Sequence, residues 1–174
     1  MPAAISIGVA LFLLWLFAVA AIHKFRSPDY YLRLVSAYVP GGRGAKPLVW
    51  LAAVAETGLA LALLSPGLRR PGLGCAAILL TAYAAMMAWQ YYRGRGDLQC
   101  GCAGPDSTLT VGPALIVRNL TCAAFALLAM ASSATLPLSL GGASLALATG
   151  SFMIIVYLFS DQMIANAQAM AGEI

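Results

Sequence analysis

Two cysteines separated by one glycine, Cys100-Gly101-Cys102, lie in the stretch L-Q-C-G-C-A-G at residues 98–104. Such a pair could close a very small disulfide ring, hold a soft metal, or do neither. A disulfide needs Cα atoms about 4.4–6.8 Å apart. Fully extended, residues i and i+2 reach only about 7 Å, so a bent backbone brings the two sulfurs within range. Gly101 supplies the bend at no Cβ cost. A ring of this size should be strained, and strained disulfides are the readily reduced, catalytic kind. Arg93 and Arg95 favour a thiolate, with Asp97 partly offsetting them. A structural zinc site wants four ligands, and the stretch offers two thiols and no nearby His. Cu(I) held by two thiolates is chemically sound, but Met86, Met87, Met153 and Met163 are scattered over apolar stretches and read as packing. No metal is expected. Cys75 and Cys122 sit inside apolar runs and read as small buried hydrophobes.

A second set of residues could act with the thiols. Glu56, Arg118, Asn119 and Asp161 lie within or at the ends of long apolar stretches, and His23 and Lys24 close the first of them. A charge at such depth costs several kcal/mol unless partnered. Arg118 is expected to pair with Glu56, its long side chain covering the difference in depth. That pair could simply fix helix packing. Alternatively, Arg118 and the Asn119 carboxamide could hydrogen-bond a carbonyl of a lipid-soluble ligand in a polar pocket beneath the cysteines.

The elements that must position these groups follow from composition. The chain has 174 residues, 61% hydrophobic and 9% charged, against roughly 25% charged in soluble domains. That excludes a water-facing surface and argues an all-α integral membrane protein. The net charge of +4 is spread over short loops without a Lys/Arg run, which argues against a nucleic-acid partner. Spans are expected at about 3–23, 47–65, 72–92, 113–131 and 143–164. A signal peptide is the rival reading of the first, but no positive segment precedes it and the run is long. Residues 93–112 form the one long polar loop, carrying the cysteines. Ser27-Pro28-Asp29 opens a short amphipathic helix with Tyr31, Leu34, Val35 and Tyr38 on one face, expected in the interface with its tyrosines at headgroup depth. Pro40-Gly41-Gly42 should end it. Ala55, Gly58, Ala62 and Ala76 should allow close helix approach. The expectation is a single five-span bundle over residues 1–174.

Five spans place the first and third loops on one side. At about 1.5 Å per residue, Arg118 lies about 8 Å and Glu56 about 13 Å from that side. His23, Lys24, Asp161, the short helix and the cysteines share it. Every intramembrane ionisable group thus leans toward the cysteine side.

The chain resembles the methylamine utilisation protein MauE family, within a wider DoxX-like group of small membrane proteins. The resemblance rests on H-K-F-R-S-P after the first span, A-E-T-G-L-A-L-A-L-L in the second, R-G-R-G-D-L-Q-C-G-C-A-G in the third loop, and V-R-N-L in the fourth span. Typical members continue C-G-C-F-G where this chain has Ala103. The resemblance implies a role in maturing the small subunit of methylamine dehydrogenase, alongside MauD, a membrane-anchored thioredoxin-like protein. By analogy with DsbB and vitamin K epoxide reductase, electrons would pass from that partner's thiols to membrane quinone through Cys100 and Cys102. Arg118, Asn119, Glu56, His23 and Lys24 would serve the quinone. The analogy is one of association, since fold alone does not carry function.

Two readings compete. In one the chain is a thiol–disulfide oxidoreductase; in the other it is a non-enzymatic assembly factor docking partner and client, with structural cysteines. The redox reading requires the cysteine side to face the periplasm from a bacterial inner membrane. Yet that side carries Lys24, Arg26, Arg33, Arg43, Lys46, Arg93 and Arg95 against Arg69 and Arg70 opposite, and positive-inside counting favours the cytoplasm.

Overall fold

Apolar runs of 19 residues or more, bounded by Pro, Gly and charge, fold as the long helices of the bundle. A computed structural model describes residues 3–39, 44–101, 104–132 and 139–172. Among the described residues six helices run in order: α1 Ala3–Arg26, α2 Pro28–Tyr38, α3 Ala45–Leu64, α4 Arg69–Tyr92, α5 Pro113–Ala131 and α6 Leu140–Gly172. Five of them, all but α2, are long and apolar enough to cross a membrane. This is an all-α, multi-pass membrane protein. Its outward faces agree, with Val54, Leu61, Ile78, Phe152 and Phe159 all exposed. Hydrocarbon, and not water, is the solvent those faces suit.

Helices α1, α3, α4 and α5 close a four-helix bundle in which α1 touches both α3 and α5, and α6 lies outside it against α1. Val9, Phe12, Leu13 and Phe17 of α1 fill the centre with Leu63, Leu73, Ala76, Leu80, Ala123 and Ala126. Lipid is as apolar as leucine, so close backbone approach and interhelical hydrogen bonds must hold the helices. At the α1–α6 crossing a Cβ on Gly8 would lie 2.6 Å from that of Thr149, and one on Gly150 would lie 3.1 Å from the Gly8 carbonyl. Ser6 Oγ donates to the Ala129 carbonyl at 2.8 Å, joining α1 to α5. Of the small residues expected at interfaces, Ala76 is fully buried and Ala62 meets Gly72. Gly58 faces open space instead, because it points away from every other helix.

The start of α2 has Ser27 and Pro28 where expected, but the Ser27 side chain makes no cap bond. Its backbone serves instead, with Ser27 N–H donating to the His23 carbonyl and Tyr31 N–H to that of Ser27. The expected stop at Pro40–Gly42 lies outside the described residues. The fifth span is longer than expected. It runs 33 residues, about 50 Å at 1.5 Å per residue, against about 30 Å of hydrocarbon. Residues past Asp161 are rich in Ala, Met and Gln, strong helix formers, so the helix continues to the cysteine loop.

Candidate functional site: a cysteine loop over a buried ion pair

The cysteine loop is a folded roof. Cys100 N–H donates to the Leu109 carbonyl at 2.9 Å and Val111 N–H to that of Leu98 at 2.7 Å, around an antiparallel bridge between Gln99 and Thr110. Gly101 has φ +71° and Gly104 φ +96°, a region that disfavours side chains. Space forbids them as well. A Cβ on Gly101 would lie 2.3 Å from Leu34 Cδ2, and one on Gly104 would lie 2.7 Å from His23 Cε1. Cys102 and Ala103 lie outside the described residues.

Side chains from two helices, α2 and α6, fasten the roof. Tyr31 donates its hydroxyl to the Gly101 carbonyl at 3.0 Å, and Tyr38 donates to that of Gln99 at 2.8 Å. Tyr30 donates to the Gln99 side-chain oxygen at 3.0 Å. From α6, Gln168 both donates to the Thr110 carbonyl and accepts from its N–H, at 2.9 and 3.0 Å. Tyr31 is 2% and Tyr38 8% exposed, so protein covers the tyrosine face of α2. The loop covers the apolar face of α2 and takes up the tyrosine hydroxyls.

Under the roof lies a cavity of about 450 Å³, bounded by α1 to α5 with Tyr157 of α6. Its walls are apolar save for Lys24, Glu56, Tyr83 and Asn119, with Tyr31, Tyr38, Cys100 and Gly101 at its top. Cys100 is half-buried, with Sγ 3.6 Å from Met87 Sδ. The volume falls within the range of about 300–1,000 Å³ usual for small-molecule sites.

At its polar end Lys24 Nζ lies 2.8 Å from both carboxylate oxygens of Glu56, and Tyr83 donates to Glu56 Oε1 at 2.8 Å. Lys24 also rests 5.0 Å over the Tyr31 ring, so the ion pair and the roof share a side chain. Glu56 is 1% exposed. The expected partnership of Glu56 with Arg118 is therefore corrected. Glu56 takes Lys24 because α1 and α3 are neighbours and the flexible lysine stem reaches down from the last turn of α1. Arg118 instead pairs with Asp161 of α6 and stacks 4.4 Å over the Tyr157 ring, with Nε and Nη2 buried and, among the described residues, unpartnered.

Lys24, Glu56, Asn119 and Cys100 are thus brought to one cavity, whereas Arg118 and His23 are not part of its wall. Asn119 donates one Nδ2 proton to the Leu115 carbonyl at 3.0 Å, and an amide nitrogen carries a second. His23 packs on Gly104, its Nδ1 buried and without a partner among the described residues. Tyr83, Asp161 and Gln168 are partners that the sequence reading does not include. For Asp161 a signal existed, since it lies at a depth similar to that of Arg118.

Removing one half of a buried pair strands the other, at about 3–5 kcal/mol. Glu56→Gln should therefore lower thermal stability in detergent, and Lys24→Met combined with Glu56→Gln should recover most of the loss. A Glu56→Gln protein that melts with the parent would contradict the pairing.

Fold and site together define a multi-pass membrane protein with a cysteine-bearing loop clamped over an ion-paired cavity. The family model for methylamine utilisation protein MauE matches residues 1–132, and the chain belongs to that family. It is 33% identical over 171 residues to methylamine utilization protein MauE of Methylophilus methylotrophus, covering 92% of this chain and 86% of the relative. It is 31% identical over 153 residues to the MauE of Paracoccus denitrificans, covering 87% and 82%. No solved structure matches the chain.

Proposed function

We propose that this protein serves methylamine utilisation as a membrane thiol–disulfide oxidoreductase acting in maturation of the methylamine dehydrogenase small subunit. The observation that carries the reading is the placement of Cys100 in the roof of the cavity that holds Lys24, Glu56 and Asn119. Exchange moves two electrons: two thiols of a thioredoxin-like partner such as MauD become a disulfide, and the Cys100–Cys102 disulfide becomes two thiols. One cysteine forms the mixed disulfide with the partner and the other resolves it. A quinone, when bound, accepts two electrons and two protons.

The chain's own groups suit such a guest. Asn119 has a spare N–H for a carbonyl oxygen. Tyr83 and Lys24 are donors beside a carboxylate, where a proton can be held or passed. The apolar walls exclude water. This reading places the cysteine side in the periplasm of the bacterial inner membrane. Some cations that oppose it have structural work: Lys24 is paired with Glu56, Arg95 donates to Gln90 and to the Ala37 carbonyl, and Arg93 stacks on Trp89.

The test is trapping. With the partner's second active-site thiol removed and its first carried as a mixed disulfide with thionitrobenzoate, the remaining thiol of one of the single variants Cys100→Ser and Cys102→Ser should displace thionitrobenzoate and accumulate a reducible adduct with MauD in membranes. Absence of an adduct from both variants would support the non-enzymatic assembly factor instead.

A further inference from the structure

Helices α3 and α4 are close at the end joined by residues 65–68, and toward the cysteine side residues of both line the cavity. At the joined end a Cβ on Gly72 would lie 3.3 Å from the Ala62 Cβ and 3.5 Å from Leu63 Cδ2. Toward the other end Leu51 and Ala55 of α3 and Leu79 and Met86 of α4 line the cavity. Two of these lining residues also reach the outer face, Leu51 at 66% and Met86 at 43% exposure. A side chain that is at once cavity wall and lipid-facing surface marks an opening. Above it, α2 and the loop are fastened together by Tyr31, Tyr38 and the Arg95 bond to the Ala37 carbonyl.

We propose that the cavity opens sideways into the bilayer between α3 and α4, and that a long-tailed, lipid-soluble quinone enters there. The ring lies toward Lys24, Glu56, Tyr83 and Asn119, and the hydrocarbon tail passes between Leu51, Ala55 and Met86. For the identity of the guest this rests on the redox reading; the opening itself rests on the helix geometry. Two features argue for this occupant. The polar groups are few and sit at one end, as a small ring with hydrogen-bonding oxygens requires. The rest of the path is hydrocarbon and leads to hydrocarbon, where a tail loses nothing on leaving the cavity.

The probe is a quinone carrying a photoactivatable diazirine on its tail, added to the full-length protein in phospholipid nanodiscs. Cross-linked peptides should map to α3 and α4 around Leu51, Ala55 and Met86, and excess unlabelled long-tailed quinone should remove the label. Ala55→Trp and Met86→Trp, which plug opposite lips, should each lose the label. Leu147→Trp, on the outer face of α6, should keep it. Labels spread over α6, or matched by a diazirine phospholipid at the same residues, would overturn the portal, since any annular lipid gives that result. Because the readout is a covalent adduct, it is separate from thiol oxidation. Labelling of the lips with inert thiols leaves the portal standing and removes the redox reading; oxidised thiols with no label at the lips do the reverse.

Discussion

Cys100→Ser should abolish dehydrogenase maturation while leaving the bundle folded, and Cys102→Ser should do the same. The Cys100 side chain touches Met87 and the cavity, but the roof is held by backbone and tyrosine bonds that serine leaves in place. Sulfur to oxygen is a small change in volume, so the folding cost is low. The chemical cost is total, because a serine hydroxyl cannot form or resolve a mixed disulfide. The measurement is the yield of assembled, active dehydrogenase from cells carrying each variant, with the melting temperature of the purified variant as a folding control. If both variants support full assembly, sulfur chemistry is excluded and the docking alternative gains.

Asp161→Asn is expected to be the most damaging single change to stability. It strands Arg118, which is 8% exposed and already has two guanidinium nitrogens without partners. A guanidinium cannot shed its proton, so the stranded charge has no escape. The reverse change, Arg118→Leu, strands an aspartate that can neutralise itself by taking up a proton. The cost of breaking a buried pair, about 3–5 kcal/mol, should therefore fall unequally, with Asp161→Asn well above Arg118→Leu. Combining Arg118→Leu with Asp161→Leu should regain most of the loss. Thermal unfolding in a mild detergent checks the order. Equal melting of the two single variants would mean that Arg118 finds water or lipid phosphate once released.

Much of this architecture is legible in the residues, and the part that is not has a physical cause. Spans declare themselves because hydrocarbon demands long apolar runs, and 19 to 33 consecutive helical residues satisfy it here. Neighbour relations are harder. A helix that is apolar on every side does not announce which face meets which partner, so depth alone suggested Glu56 with Arg118, whereas adjacency of α1 with α3 joins Glu56 to Lys24. The same blindness hid Tyr83, whose aromatic ring reads as packing until its hydroxyl is found on Glu56. The amphipathic face of α2 was visible as a pattern of Tyr31, Leu34 and Tyr38, but not its occupant. Burial of those tyrosines depends on a loop some 60 to 70 residues away in sequence. Gln168 belongs with them, since nothing about a lone glutamine in a helix announces a two-bond clamp on Thr110.

Electron transfer from the cysteine pair to quinone is tested by a titration of thiols in the purified, reduced protein. Cys100 and Cys102 would be alkylated and weighed before and after addition of a long-tailed quinone in nanodiscs, in a background where Cys75 and Cys122 are replaced by alanine. Both thiols of each chain should become unreactive, with one quinone reduced for every pair lost and no change in a Cys100→Ser protein. Two thiols that stay fully reactive in the presence of excess quinone would contradict it.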